Sequence, residues 1–260
     1  MQHPMDLSGK VAVVTGGNGG IGLGITKGLA SAGCHVAIWA RNAAKNEAAV
    51  QALQGLPGNV QAFACDVTDR ASVDAAAAAT LQRFGFIDGM FANAGIGGGG
   101  RESFLVRKPE DWGQMIDVNL YGAFHACQVA LAQMKTQSEQ GRKHGRIVLT
   151  SSIASHFGTA ANEHYAMTKA GLTSLARSIA VEFARYGVTA NALLPGYTAT
   201  EMTTGLFDNE KFVKAVMPRI PQRRFGSSDD FAGVAIYLMS DLSSYHTGDA
   251  MTIDGGYSIY

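Results

Sequence analysis

Seven short apolar runs punctuate the chain, at 11–15, 35–39, 60–65, 89–92, 146–151, 188–194 and 250–253. Most are continuously apolar rather than alternating, the pattern of strands covered on both faces. Longer stretches of helical character separate them. Five consecutive alanines sit within 72–84, which favours helix by propensity. After Tyr165, the residues Leu172, Leu175, Ile179 and Phe183 recur at helical spacing and form one apolar stripe. Strand–helix alternation from end to end predicts an α/β fold: a doubly wound parallel sheet of about seven strands, with helices on both faces and right-handed crossovers.

The rhythm breaks at 201–222, between the sixth and seventh strands, and this segment is the candidate for a substrate-covering lid. The polar stretch 136–145 reads as a surface loop. No linker-like stretch or internal repeat divides the 260 residues, so a single domain with a substantial core is expected.

Composition narrows the classes. Hydrophobic residues make up 47% and charged residues 16%, which excludes a disordered or fibrous chain. The 21 Lys+Arg balance 21 Asp+Glu, leaving no large basic field for nucleic acid or an anionic membrane. A low net charge also favours self-association. Cys34, Cys65 and Cys127 are odd in number, far apart and outside any CxxC or Cys/His ligand spacing. Neither a disulfide framework nor a metal site is expected from them. The first ten residues lack the basic start and apolar run of a signal peptide, and no apolar stretch approaches the roughly 18 residues that span a bilayer. A soluble, cytoplasmic protein is the expectation.

The first candidate chemistry follows the first strand directly: Thr15-Gly16-Gly17-Asn18-Gly19-Gly20-Ile21-Gly22, running into a helix at 23–32. Glycines here permit a tight turn and let backbone N–H groups approach a pyrophosphate at the positive end of the helix. Gly24 and Gly28 continue into the helix, where small residues permit close packing against the sheet. The spacing is Gly-x-x-x-Gly-x-Gly, not the GxGxxG of the usual dinucleotide fingerprint.

That turn, followed by Asn93-Ala94-Gly95 and then by Tyr165-x-x-x-Lys169, resembles the short-chain dehydrogenase/reductase (SDR) family over nearly the whole chain. The chain has Ala92 where the family often has a further asparagine, a mild departure. Ser152, thirteen residues before Tyr165, matches the family's catalytic serine, and Asn119 its catalytic asparagine. Pro195-Gly196, with Thr198 and Thr200 beyond, resembles the turn bordering the nicotinamide, and Ile253-Asp254-Gly255-Gly256 resembles the closing motif. The resemblance implies hydride transfer between a nicotinamide and a ketone or secondary alcohol. It also implies adenine contacts at Asp66 and Val67, and ribose contacts near Asn93, Ala94 and Gly95.

Ketone reduction needs a hydride on carbon and a proton on oxygen, and the protein must supply the second. A tyrosine can do so, and a lysine at i+4 lies on the same helix face, where its charge favours the phenolate. The family's pattern further implies a Lys169 bond to the nicotinamide ribose, a Ser152 bond to the substrate oxygen, and an Asn119-held water linking Lys169 to solvent. At the end of the second strand, Ala40 stands where an acidic residue would bind the adenosine ribose of NAD, and Arg41 follows. This favours NADP over NAD, although Gly19 lacks the positive charge many NADP-using relatives place there.

The substrate is less legible. Ser152, His156, Phe157, His164, Tyr197, Met202 and the 97–100 glycines are candidate pocket residues. With Asn162 and Glu163, the two histidines favour a hydroxylated substrate such as a sugar acid or polyol. Arg101, Arg107 and Lys108 offer an alternative, docking of an acidic carrier protein by a 3-oxoacyl-[acyl-carrier-protein] reductase. A nucleotide-binding redox sensor is the non-enzyme alternative. By resemblance, a homotetramer or a dimer is expected, built on the Tyr165 helix and the one before it, with the apolar C-terminus at a further interface.

Overall fold

The computed structural model describes residues 4–97 and 102–260; Gly98, Gly99, Gly100 and Arg101, all candidates above, lie outside them. Each apolar run forms a strand: β1 (Val11–Thr15), β2 (His35–Ala40), β3 (Val60–Ala64), β4 (Gly89–Ala92), β5 (Gly145–Thr150), β6 (Val188–Pro195) and β7 (Ala250–Ile253). The helices are α1 (Gly20–Ser31), α2 (Ala43–Ala52), α3 (Arg70–Phe84), α4 (Pro109–Ile116), α5 (Gly122–Glu139), α6 (Glu163–Phe183), α7 (Thr204–Phe207), α8 (Glu210–Val216) and α9 (Ala232–Met239). A π-helical stretch, Asp117–Tyr121, joins α4 to α5 without a break.

All seven strands pair in parallel, in the order β3-β2-β1-β4-β5-β6-β7. The sheet is covered twice. Val13, Ala37 and Met90 pack with Val73, Ala126 and Leu172 from α3, α5 and α6. Their neighbours Ala12, Val14 and Phe91 pack with Ile25, Leu29 and Leu238 from α1 and α9. Burial on both faces explains why the strands read as unbroken apolar runs. The order reverses between β1 and β4, which opens a crevice at the carboxyl ends of these strands.

Two readings need correction. The polar stretch 136–145 is not all loop, because α5 runs to Glu139. Gln137 is buried there, accepting from the Ile87 N–H at 2.9 Å and donating to the Ile87 carbonyl at 3.0 Å. Gly24 and Gly28 make their tightest approaches to Ser228 and Ala232, not to the sheet; a Cβ on Gly24 would lie 1.9 Å from the Ser228 carbonyl oxygen. The 201–222 segment is partly helical, carrying α7 and α8.

At the far end of the sheet from the crevice, Asp88 is fully buried. It accepts from the Val11 N–H at 2.9 Å and from Arg142 at 2.6 and 2.7 Å. These bonds tie the starts of β1 and β4 to the segment leading into β5.

Candidate active site

Gly16 and Gly20 adopt φ of +65° and +50°, a region that favours glycine. A Cβ on Gly22 would lie 2.2 Å from the Gly16 carbonyl oxygen and 2.6 Å from Asn93 Nδ2, so the turn closes only because that position is bare. Gly19 caps α1 without a side-chain bond, which leaves the first-turn N–H groups facing the crevice for an anion. Asn18 Nδ2 donates to Asn46 Oδ1 at 2.7 Å, tying the turn to α2. This cradle fits a dinucleotide pyrophosphate.

Thr15 Oγ1 accepts from the Asn93 and Ala94 N–H groups, both at 2.9 Å. Asn93 Nδ2 donates to the Thr15 carbonyl at 3.1 Å, and Thr150 Oγ1 donates to Asn93 Oδ1 at 3.3 Å. One asparagine therefore joins β1, β4 and β5 where the crevice opens. Gly95 follows with no room to spare: a Cβ there would sit 3.0 Å from Asn119 Oδ1 and 3.4 Å from Lys169 Nζ.

Asn119 is fully buried in the π stretch. Its Oδ1 accepts from the Ile96 N–H at 2.8 Å, and its Nδ2 donates to the Ile96 carbonyl and to Thr168 Oγ1, both at 3.1 Å. The amide is spent on anchoring the loop after β4 to α6. A water held at this residue would rest on its main chain, whose bonding pattern the π stretch offsets.

Tyr165 and Lys169 project from α6, with Lys169 Nζ 5.5 Å from the centre of the Tyr165 ring. Lys169 is 5% exposed and donates to the Thr150 carbonyl at 2.9 Å. Ser151 Oγ donates to the Lys169 carbonyl at 2.7 Å and accepts from Thr173 Oγ1 at 3.0 Å, pinning α6 to the end of β5. Burial lowers the Lys169 ammonium to about 8. Burial also pushes the Tyr165 phenol up, against the opposing hydrogen bond from Ser152. Desolvation is the larger of these two effects on the phenol. Ser152 Oγ also accepts from the Ala154 N–H at 3.1 Å, so one hydroxyl both starts a turn and meets the phenol.

The crevice is continuous. One lobe is lined by Arg41, Asp66 and Val67, the other by Gly20, Ile21, Lys169, Pro195, Gly196, Thr198 and Thr200. Gly16, Asn18, Ala94 and Gly95 line both. Arg41 stands 3.6 Å from Asp66. The Asp66 carboxylate is held below its usual range, first by the Thr68 N–H and in part by Arg41. Two residues that the sequence does not single out, Lys45 and Glu201, pair across both lobes. Their separation of 156 residues left no local signal.

Beyond Ser152 and Tyr165 lies a second cavity, of about 700 Å³, which also touches Phe157, Asn162, Tyr197 and Met202. The histidines are elsewhere. His164 is buried against Trp112, with centroids 5.8 Å apart, and its Nε2 lies 3.3 Å from Arg107 Nη1. Neither it, His156 nor Glu163 lines the cavity. Arg107 turns inward and donates to the Ala161 carbonyl at 2.9 Å, which removes it from a docking face.

Comparison with known proteins agrees with this geometry. A family profile described as Enoyl-(Acyl carrier protein) reductase matches residues 16–258. A 3-oxoacyl-[acyl-carrier-protein] reductase from Thermotoga maritima is 37% identical over 253 residues, covering 97% of this chain and 99% of that protein. An Agrobacterium tumefaciens structure provisionally named a 2-deoxy-D-gluconate 3-dehydrogenase, with bound NADP, superposes with a TM-score of 0.88 at 31% identity. The match covers 99% of this chain and 100% of that one. A 3-ketoacyl-(acyl-carrier-protein) reductase from Brucella melitensis, complexed with NADH, gives 0.89 at 30% identity over 97% and 100% of the two chains. The fold and these relatives define a dinucleotide-dependent oxidoreductase acting on alcohol or ketone groups. The chain belongs to the short-chain dehydrogenase/reductase family.

Proposed function

We propose that this enzyme interconverts a small-molecule ketone and its secondary alcohol, with Tyr165 as the acid/base and NADP as the preferred cofactor. One observation carries the reading: Tyr165 and Ser152 line both the nucleotide crevice and the separate cavity, at their junction. When bound, the nicotinamide supplies or accepts the hydride. Ser152 orients the carbonyl oxygen, and Tyr165 delivers its proton to that oxygen during reduction. Lys169, held by Thr150, restores the phenol's proton and faces the ribose. Asn119 positions Gly95 and α6 around them. Gly16, Gly20, Gly22 and the first turn of α1 receive the pyrophosphate. Pro195, Gly196, Thr198 and Thr200 border the nicotinamide end, while Asp66, Val67, Asn93 and Ala94 receive the adenosine.

The NADP preference rests on Ala40, which removes the acid that would repel a 2′-phosphate, and on Arg41, whose side chain is 68% exposed at the mouth of that lobe. A polyol substrate loses the support of His156 and His164, since neither lines the cavity. Reduction of 3-oxoacyl groups on a carrier protein is the second reading, favoured by the relative from Thermotoga maritima. With Arg107 turned inward, it would need other cations for docking. The full acid/base set argues against a passive redox sensor. Exposed Tyr121, Phe124, Met167 and Val181 on and beside α5 and α6, and Tyr245, Ile259 and Tyr260 near the C-terminus, support a homotetramer as the working form, with a dimer as the alternative. The three free, buried thiols suit a reducing cytoplasm.

A panel of ketones, 3-oxoacyl thioesters and keto sugar acids, assayed by NADPH and NADH oxidation, tests the reading. Turnover of none of them by enzyme that binds nucleotide would overturn it.

A further inference from the structure

The cavity beyond Tyr165 has aromatic and aliphatic walls. Tyr197 and Tyr257 meet edge to face with centroids 5.1 Å apart. Phe212 packs edge-on to Tyr197 at 5.4 Å, and Phe157 edge-on to Tyr257 at 6.2 Å. Met202 and Leu206 extend this wall from the 201–222 segment. Thr159, Asn162 and Thr203 also line the cavity, but these rings and aliphatic side chains give it a broad contact area that suits an apolar or aromatic body.

Among the described residues that line the cavity, Arg219 alone carries a formal charge. It belongs to the short turn Met217–Arg219 after α8, and its guanidinium carbon lies 4.4 Å from the centre of the Tyr257 ring. Arg142, Arg146 and Arg224 each have an acidic partner, whereas Arg219 has none within 4.0 Å among the described residues. Arg219 is exposed, and the aromatic face orients its guanidinium while leaving the donor edge to water or an incoming anion. The lining thus presents one guanidinium, which balances a single negative charge and suits a carboxylate better than a dianionic phosphate.

Resting on the reading that this cavity receives the carbonyl compound, we propose that the substrate is a keto acid with an apolar or aromatic body, whose carboxylate pairs with Arg219 while its carbonyl meets Ser152 and Tyr165. Because Arg219 rides on the 201–222 segment, the same ion pair draws that segment over the bound substrate. The class differs from a sugar acid in its body and from an uncharged ketone at its far end.

The test uses aryl and alkyl keto acids with one to four carbons between carbonyl and carboxylate, each paired with its methyl ester. Both members are measured for kcat/KM and, by calorimetry on the NADP-loaded enzyme, for affinity. For at least one spacing the acid is expected to exceed its ester by about tenfold or more in both quantities. Arg219→Met should bring the acid-to-ester ratio close to one, and Arg219→Lys should restore part of it. The ratio is internal to each variant, so loss of the Tyr257 contact alone would not change it. Equal acid and ester affinity at every spacing, or a preference that survives in Arg219→Met, would overturn the inference, whatever the turnover. Absence of turnover with every ketone would instead sink the catalytic reading, while the affinity ratio still decides the role of Arg219.

Discussion

Lys169 and Tyr165 share a helix face but not a hydrogen bond: the ammonium donates to the Thr150 carbonyl at 2.9 Å and stands 5.5 Å from the phenol ring's centre. Removing the phenol's proton should therefore abolish the chemistry without collapsing the site. Tyr165→Phe is expected to lower kcat by roughly 10²–10⁴ while nucleotide affinity, followed by fluorescence, stays near that of the parent. Near-parental turnover would remove Tyr165 from its role.

The same burial sets a pH dependence. Lys169 is lowered to about 8, so it is charged at neutral pH and loses its proton as pH rises through that value. The Tyr165 phenol, pushed up, keeps its proton over that interval. Proton delivery in ketone reduction should thus fall above about pH 8, and alcohol oxidation should rise over the same range. Profiles of kcat in both directions would check this, and a flat pair from acid to alkaline pH would contradict it.

Cofactor choice turns on the mouth of the adenosine lobe. Arg41→Ala is expected to raise KM for NADP by about tenfold, one lost charge-assisted contact, and to leave KM for NAD little changed. Ala40→Asp should push selectivity further toward NAD. Gly19 has an extended φ of −167° and open space around its Cβ position, so Gly19→Arg should fit and strengthen NADP binding. Paired KM measurements decide each case.

Two neighbouring glycines should answer differently to one methyl group. Gly22→Ala sets a Cβ against the Gly16 carbonyl, and nucleotide affinity should drop sharply. Gly19→Ala meets nothing within 4 Å and should bind as the parent does. Calorimetric titration of both variants with NADP would reveal the contrast.

Stability has a separate anchor. Arg142→Ala strands the fully buried Asp88 carboxylate with the Val11 N–H as its remaining donor. A loss of about 3 kcal/mol in denaturant unfolding is expected. A change below about 1 kcal/mol would mean that water or Lys10 can take Arg142's place.

The strands were legible because both faces of the sheet are covered, so burial appears as unbroken apolar runs and the limits fall within a residue of the structure. The glycine turn and the Tyr165/Lys169 pair were legible for a similar reason, since their geometry is set by near neighbours in the chain. What escaped was set by distant ones. Gln137 is polar yet buried, because the Ile87 peptide needs a partner, and polarity alone misplaced it on the surface. The Lys45–Glu201 pair and the contact between Arg219 and Tyr257 join segments far apart in sequence. His164 sits beside Tyr165 in sequence but packs against Trp112.

The division of labour between α6 and the 201–222 segment has an evolutionary consequence. The helix carrying Tyr165 and Lys169 is bolted to β5 through Ser151 and Thr150, while Met202, Leu206, Phe212 and Arg219 ride on a separate stretch of chain. A lineage can then change its diet by rewriting about twenty residues without relearning the reaction, and a graft of that stretch between relatives should carry taste along with it.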